Sequence, residues 1–208
     1  MSVAGHSLAL GREARSRAAR WILGHRIRAR HPTLICDPTA IWDYGYRDID
    51  AIQIGVGVSV LAHANITVHR YSPRSRVEGK LILGDGAIVS AGVVIIAAGG
   101  VVRIGKNSAV AANSVAVAAN HLYAPGASHL HGAWDEERCG VIVGDNVWVG
   151  AGCVLLPGCL IGDDTVIGAG SVVRGTVTPG EIWAGVPARR IMTLTGFAAQ
   201  PEGDATKS

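Results

Sequence analysis

A neutral imidazole is the side chain best matched to moving a proton near pH 7, and this 208-residue chain has eight histidines. His121 stands out among them by position. It follows Asn120, seventeen residues after Ile104 and 22 before Val143, where a regular pattern stops and an irregular stretch, HLYAPGASHLHGAWDEERC, begins. A histidine there could take a proton from an acceptor hydroxyl; a solvated loop histidine is the plain alternative. The same stretch holds His129 and His131 as an H-x-H pair, which with His121 invites a three-histidine zinc site. It also holds Cys139, a nucleophile candidate with no base close in sequence. Asn120, Asp135, Glu136 and Glu137 are the polar groups able to set the imidazole tautomer. His63 and His69 read as surface residues.

The elements that must hold these groups follow a six-residue beat. An aliphatic residue falls on every sixth position at Val143, Val149, Leu155, Ile161, Ile167 and Val173, with Gly144, Gly150, Gly162 and Gly168 after four of them. Four residues after each aliphatic sits a small or β-branched side chain: Val147, Cys153, Cys159, Thr165, Ser171, Val177. A helix repeats at 3.6 and a half-exposed strand at 2, so a period of six fits neither. It predicts an all-β left-handed parallel β-helix, a triangular prism in which each hexad builds one short strand and turn. Three hexads per coil place Val143 under Ile161, Val149 under Ile167 and Leu155 under Val173.

Earlier hexads begin at Ile54, Val60 and Ile66, slip across the polar RYSPRSRVEGK, resume at Leu83, Val89 and Ile95, and slip again at AAGG before Ile104, Val110 and Ala116. Residues 34–50 are poorly periodic. The expected organisation is an N-terminal amphipathic helical segment (1–33), the prism (34–178) with a loop excursion at 121–141, and a C-terminal helix and tail (179–208). So long an excursion in a compact domain is usually functional.

Composition agrees with a narrow coil. Hydrophobic residues make up 49% of the chain but aromatics only 5%, with 28 glycines and a single Phe. The formal charge of +3 gives no case for nucleic acid. Cys36, Cys139, Cys153 and Cys159 form no C-x-x-C pair and read as reduced thiols. The apolar run Ala87–Val102 is shorter than a spanning helix and carries the hexad phase, so it reads as prism. No signal peptide is visible, and the expected location is the cytoplasm. The segment LALGREARSRAARWILGHRIRARH, with seven arginines and one glutamate, reads as a helix stopped by Pro32. It either packs its apolar stripe on the prism or touches an anionic membrane surface.

The segment VIVGDNVWVGAGCVLLPGCLIGDDTVIGAGSVVRGTV followed by AGVPARRI resembles the hexapeptide-repeat O-acetyltransferases: the maltose, thiogalactoside, nodulation-factor and capsule or colanic-acid enzymes. The likeness is strong over Ile104–Ile191, weaker from Ile54 to Val102 and absent from the N-terminal helix. It implies a homotrimer that uses acetyl-CoA as co-substrate, holds no permanent cofactor or metal, and acetylates a saccharide hydroxyl. His121 becomes the general base, and a backbone N–H on a prism corner stabilises the oxyanion. Transfer is direct, without an acetyl-enzyme. Trp148 borders the active site, Ala151 and Ala169 offer backbone groups to the pantetheine arm, and Arg174, Arg189 and Arg190 can meet the CoA phosphates. Asn120, Glu136 and Trp148 fall on the acceptor side. The sequence departs from the pattern at Ala91, where the sugar acetyltransferases carry an asparagine. The γ-class carbonic anhydrases use the same prism but hold their histidines on its faces, which disfavours zinc here. Rival readings are N-acetylation of an amino sugar, acetylation of a xenobiotic, and a non-catalytic scaffold.

Overall fold

A computed structural model describes residues 21–44, 48–123, 125–126, 128–129 and 131–194. The expected helix over 8–20 and the tail from 195 fall outside them. The chain winds into a left-handed parallel β-helix with three faces. The first face has eight strands: Ile35–Cys36, Ser59–Val60, Ile88–Val89, Ala109–Val110, Trp148–Val149, Val166–Ile167, Glu181–Gly185 and Ala188–Thr193. The second stacks Ile41–Tyr44, Asn65–His69, Val94–Ala98, Val115–Val117, Val154–Leu155 and Val172–Val173. The third stacks Ile52–Ile54, Lys80–Leu83, Val101–Ile104, Val141–Val143, Cys159–Ile161 and Thr176–Val177.

The expected eighteen-residue stacking is present: Val143 pairs with Ile161, Val149 with Ile167 and Leu155 with Val173. These residues point inward and are fully or almost fully buried. Each such aliphatic contributes roughly 1.5–3 kcal/mol by leaving water. The inner corners take small polar residues only where they cross-link coils. The buried Ser108 hydroxyl donates to the Gly144 carbonyl and accepts the Val147 N–H; the buried Ser114 hydroxyl does the same with Gly150 and Cys153. At the corner between third and first faces, Asp85 accepts the Val56 N–H, Asp145 the Lys106 N–H and Asp163 the Asp145 N–H. The acid of the GDN motif therefore caps a turn, and Asn146 takes the left-handed conformation (φ 53°) that its short amide tolerates.

Residues 34–50, poorly periodic in sequence though placed within the expected prism, supply most of a complete first coil: Ile35 pairs with Ser59, Trp42 with Ile66 and Ile52 with Leu81. The pattern was hidden because Trp42 fills an inner slot that higher coils give to Ile66, Ile95, Ala116, Leu155 and Val173. The segment after 178, expected as a helix, is a β-hairpin through residue 193. Its first strand extends the first face beyond Val166–Ile167 and its second returns antiparallel, covering an otherwise open sheet edge. Pro187, which lacks an N–H, sits at the turn.

The described N-terminal helix spans 21–30, and His31 N–H closes it on the Ile27 carbonyl before Pro32. Leu23 and Ile27 are buried in the same core as Trp42, so its apolar stripe packs on the prism, while Trp21 and Ile22 face outward. Among the described residues no helix is long and apolar enough to cross a membrane, and Ala87–Val102 is strand and turn.

Candidate active site

Both long excursions leave the prism at the corner between second and third faces: residues 70–79 and, two coils on, 118–140. The intervening coil turns tightly at Gly99–Gly100, and the excursions fold toward each other over it. Gly99 has φ +64°, and a Cβ there would overlap the Trp134 indole. Trp134 N–H donates to the Arg74 carbonyl at 2.9 Å. Glu136 completes the joint, its carboxylate accepting from the Arg76 N–H at 2.6 Å, from the Arg76 guanidinium and from the Ser75 hydroxyl. The Arg76 backbone donor, first among these, holds the Glu136 carboxyl below the usual range.

His121 lies at the root of the second excursion. Its backbone bridges Trp134, and the two rings meet edge to face with centroids 6.1 Å apart. It is half-buried, and its Nδ1 is sequestered from solvent without a partner; Trp134 Nε1 is orphaned in the same way. Nε2 is not among the buried unpaired atoms. Asn120 fixes the backbone and leaves the ring alone: its Oδ1 accepts the His121 N–H at 3.2 Å and its carbonyl accepts the Asp135 N–H. Asp135 is buried and committed to its own turn, accepting from the Glu137 and Arg138 N–H groups and from the Arg138 guanidinium. The Arg138 N–H leads in holding its carboxyl below the usual range. Glu136 is spent on Arg76 and Ser75, and Glu137 is exposed. Thus none of the four groups singled out as tautomer-setting candidates reaches the imidazole through a hydrogen bond.

Two clefts are lined by the chain neighbours of His121, which itself lines neither. One, of about 770 Å³, runs between the excursions and is lined by Ser72 to Arg76, Leu122, Trp134 and Glu136. The other, of about 760 Å³, lies between the second excursion and the upper coils, where Asn120 meets Arg138, Arg174, Trp183 and Arg189. Asn120 thus lines one cleft and Leu122 the other, with His121 between them in the chain.

The remaining expected residues lie elsewhere. Ala151 and Ala169 occupy the corner between first and second faces, on a backbone ladder with Ala62, Ala91 and Ala112: each carbonyl from Ala62 through Ala151 accepts an N–H from the next coil. Among the described residues no hydrogen bond engages the N–H of Ala151 or Ala169, both exposed. Ala91 sits lower on that ladder, across the second face from His121. Trp148 stands outward on the first face between Ala109 and Val166, 60% exposed. Arg190 turns to the buried Glu181 at 3.4 Å and is not among the residues of the arginine-lined cleft. His129 and His131 are exposed, and among the described residues no three metal-ligating side chains gather. Burial, reinforced by Asp135 and Glu136, pushes the Cys139 thiol up, away from the thiolate a nucleophile needs. The sequence reading placed the acceptor pocket between the 121–139 loop and the irregular 70–80 segment, but it did not single out Trp134 or Arg138 as site components. A lone tryptophan in a polar loop and a Gly-Gly slip one coil below were the available signals.

Residues 140–175 match the model of the bacterial transferase hexapeptide (six repeats). No curated protein matches the chain significantly by sequence. Among solved structures it is similar to AntD, an N-acyltransferase from Bacillus cereus in complex with dTDP and 3-hydroxybutyryl-CoA: 20% identity over 77% of this chain and 80% of that one, TM-score 0.62. A maltose O-acetyltransferase from Clostridium difficile 630 is 25% identical over 70% of this chain and 71% of its own, TM-score 0.53. The hexapeptide-repeat containing acetyltransferase VCA0836 from Vibrio cholerae is 21% identical over 78% and 71%, TM-score 0.50.

Proposed function

We propose that this protein is an acyl-CoA-dependent acyltransferase that moves an acetyl group to a saccharide hydroxyl, with His121 as general base. The observation that carries the reading is the position of His121, bridged to Trp134 at the root of the second excursion, on a prism whose 140–175 segment matches transferase hexapeptides. In the step envisaged, the accessible imidazole nitrogen accepts the hydroxyl proton as the oxygen attacks the thioester carbonyl. The C–S bond then breaks, and the proton passes to the departing thiolate, leaving free CoA and the ester. A free corner N–H such as that of Ala151 or Ala169 is the kind of donor that steadies the oxyanion and the pantetheine amides.

Those N–H groups and His121 occupy opposite edges of the second face, which supports a site completed by a neighbouring subunit. The outward side of that face stacks Val94, Val115, Val154 and Val172 in register, a dry surface suited to close packing in a homotrimer. A second reading, acylation of a sugar amine, is favoured by the likeness to AntD.

Thiol release from acetyl-CoA with a panel of sugars and amino sugars tests both readings. An alkali-labile product indicates the ester and an alkali-stable one the amide. His121→Ala should lower turnover by about 10²–10⁴-fold; turnover intact in that variant overturns the base assignment.

A further inference from the structure

The helix over 21–30 closes the end of the prism opposite the hairpin, and it has two apolar sides where one would suffice. Leu23 and Ile27 fill the inner side, buried in the core with Trp42. A helix that only plugs a coil needs no more than that stripe. Yet Trp21 and Ile22 stand outward, 67% and 47% exposed. The indole stacks on the His25 imidazole one turn on, with ring centroids 5.5 Å apart and planes 14° from parallel. His25, Arg26 and Arg30 share this outward side. Arg30 reaches Asp50 at 3.2 Å, but among the described residues no carboxylate meets Arg26 or Arg28.

Positive charge is collected on the same stretch of chain. Residues 1–33 carry seven arginines against Glu13 alone, a net +6 in a chain whose total is +3, so the rest of the chain sums to −3. Four of the seven precede Trp21 and three follow Ile22, which puts the two exposed apolar side chains in the middle of the basic run. An anionic bilayer surface uses all of these features: guanidiniums meet lipid phosphates, while an indole and an aliphatic side chain enter the boundary between headgroups and acyl chains. A nucleic acid would use the charge and could stack on Trp21, but it offers nothing to Ile22. A second copy docking through the same surface would set arginines against arginines. We infer that the helix end of the prism docks on anionic lipid. Trp21 and Ile22 insert at the headgroup level, and Arg26, Arg28 and the arginines before Trp21 lie on the phosphates. This surface is separate from the acyl-transfer site and is tested without turnover.

Co-sedimentation of the full chain with vesicles tests it, comparing phosphatidylcholine alone with an equal mixture of phosphatidylcholine and phosphatidylglycerol. It would be repeated on Trp21→Ser with Ile22→Ser and on Arg26→Gln with Arg28→Gln. Leu160→Ser and Arg103→Gln on the third face are the controls for exposed apolar area and for charge. Should the serine pair lower the melting temperature, Trp21→Ala with Ile22→Ala keeps the helix propensity and takes its place. The native protein should bind the mixed vesicles and not phosphatidylcholine alone, and binding should weaken as salt rises from about 0.1 to 0.5 M. Each arginine near the surface is worth about fivefold in binding, so losing two should weaken it at least about tenfold. The Trp21 and Ile22 pair should cost at least about as much, with both controls unchanged. Absence of binding to the mixed vesicles, equal binding to both kinds, or native-like binding by either double variant overturns the inference. A smaller assembly in sedimentation velocity for the Trp21 and Ile22 variant overturns it by assigning the patch to a second copy. Displacement from the mixed vesicles by an oligonucleotide at equal phosphate concentration overturns it by assigning the arginines to nucleic acid.

Discussion

Replacing Gly99 with alanine tests whether Trp134 holds His121 in place. The residue lies in the left-handed region at φ +64°, where a Cβ costs about 1–2 kcal/mol whatever surrounds it. Here the surroundings add to that cost. The new Cβ would overlap Trp134 Cε3, approach Cζ3 to 2.7 Å and the Ala119 Cβ to 3.1 Å. An unstrained carbon pair needs about 3.5 Å, so the indole must retreat by about 0.8 Å or more. The Trp134 backbone is held by the Arg74 carbonyl and the bridge to His121, and its indole meets the imidazole edge to face, so a retreat of the indole bears on the His121 ring. A displacement near 1 Å at a reacting group lowers rate by about 10²-fold. Gly57→Ala supplies the control, since that residue has φ +68° and nothing lies within 4 Å of its Cβ position. It carries the backbone strain alone, and both variants should melt a few degrees below the native protein, about 2–4 °C per kcal/mol for a chain of this size. Acetyl-CoA-dependent thiol release, measured well below both transitions, should fall about a hundredfold for Gly99→Ala relative to Gly57→Ala. Equal rates in the two variants would refute the idea that the Trp134 contact positions the base.

Two other outcomes follow from the same geometry. Asp135 and Glu136 both titrate below the usual carboxylate range when folded, so the folded loop binds fewer protons than the free chain. Their contribution is then complete above the ordinary carboxylate pKa of about 4 and is lost as pH falls through the depressed values. Protection of the 118–140 excursion from proteolysis should hold from pH 7 to about 5 and vanish only in stronger acid; opening near neutrality would contradict it. Cys139, with its thiol pushed up by burial and two nearby acids, should react slowly with alkylating reagents at pH 8. Cys139→Ser should retain turnover in the thiol-release assay, and loss of activity there would reinstate the thiol as a participant.

The upper coils were legible because each inner slot from Val143 to Val173 holds one small aliphatic and each corner a glycine or asparagine, so local pattern and global fold agree. Trp42 broke that agreement in the first coil, since one large side chain did the filling of a smaller one. The hairpin after 178 was hidden for a different reason: residues 188–193 become a strand only because an open sheet edge lies beside them. His121 was visible as the point where the count fails. The groups that position it were not, because Trp134 with Arg74 and Glu136 with Arg76 are contacts across 60 residues of sequence that no local spacing announces. Asp135 shows the converse limit: its chemistry suggested an imidazole partner, and only the turn around it reveals that Arg138 has the prior claim.

The second excursion is sealed at its root. Gly140 N–H donates to the Ala118 carbonyl and Gly158 N–H to the Gly140 carbonyl, both at 2.6 Å, so the strands on either side pair with their neighbours as though nothing had been inserted. One extra residue within a hexad would turn every following side chain inside out. Beyond that root the chain can lengthen freely, since doubling a loop costs only about 0.6 kcal/mol in closure entropy. Descendants of this protein are therefore free to change length at a single corner while the coils keep their count. A new substrate preference could be acquired, or grafted by design, by exchanging two loops and leaving the prism untouched.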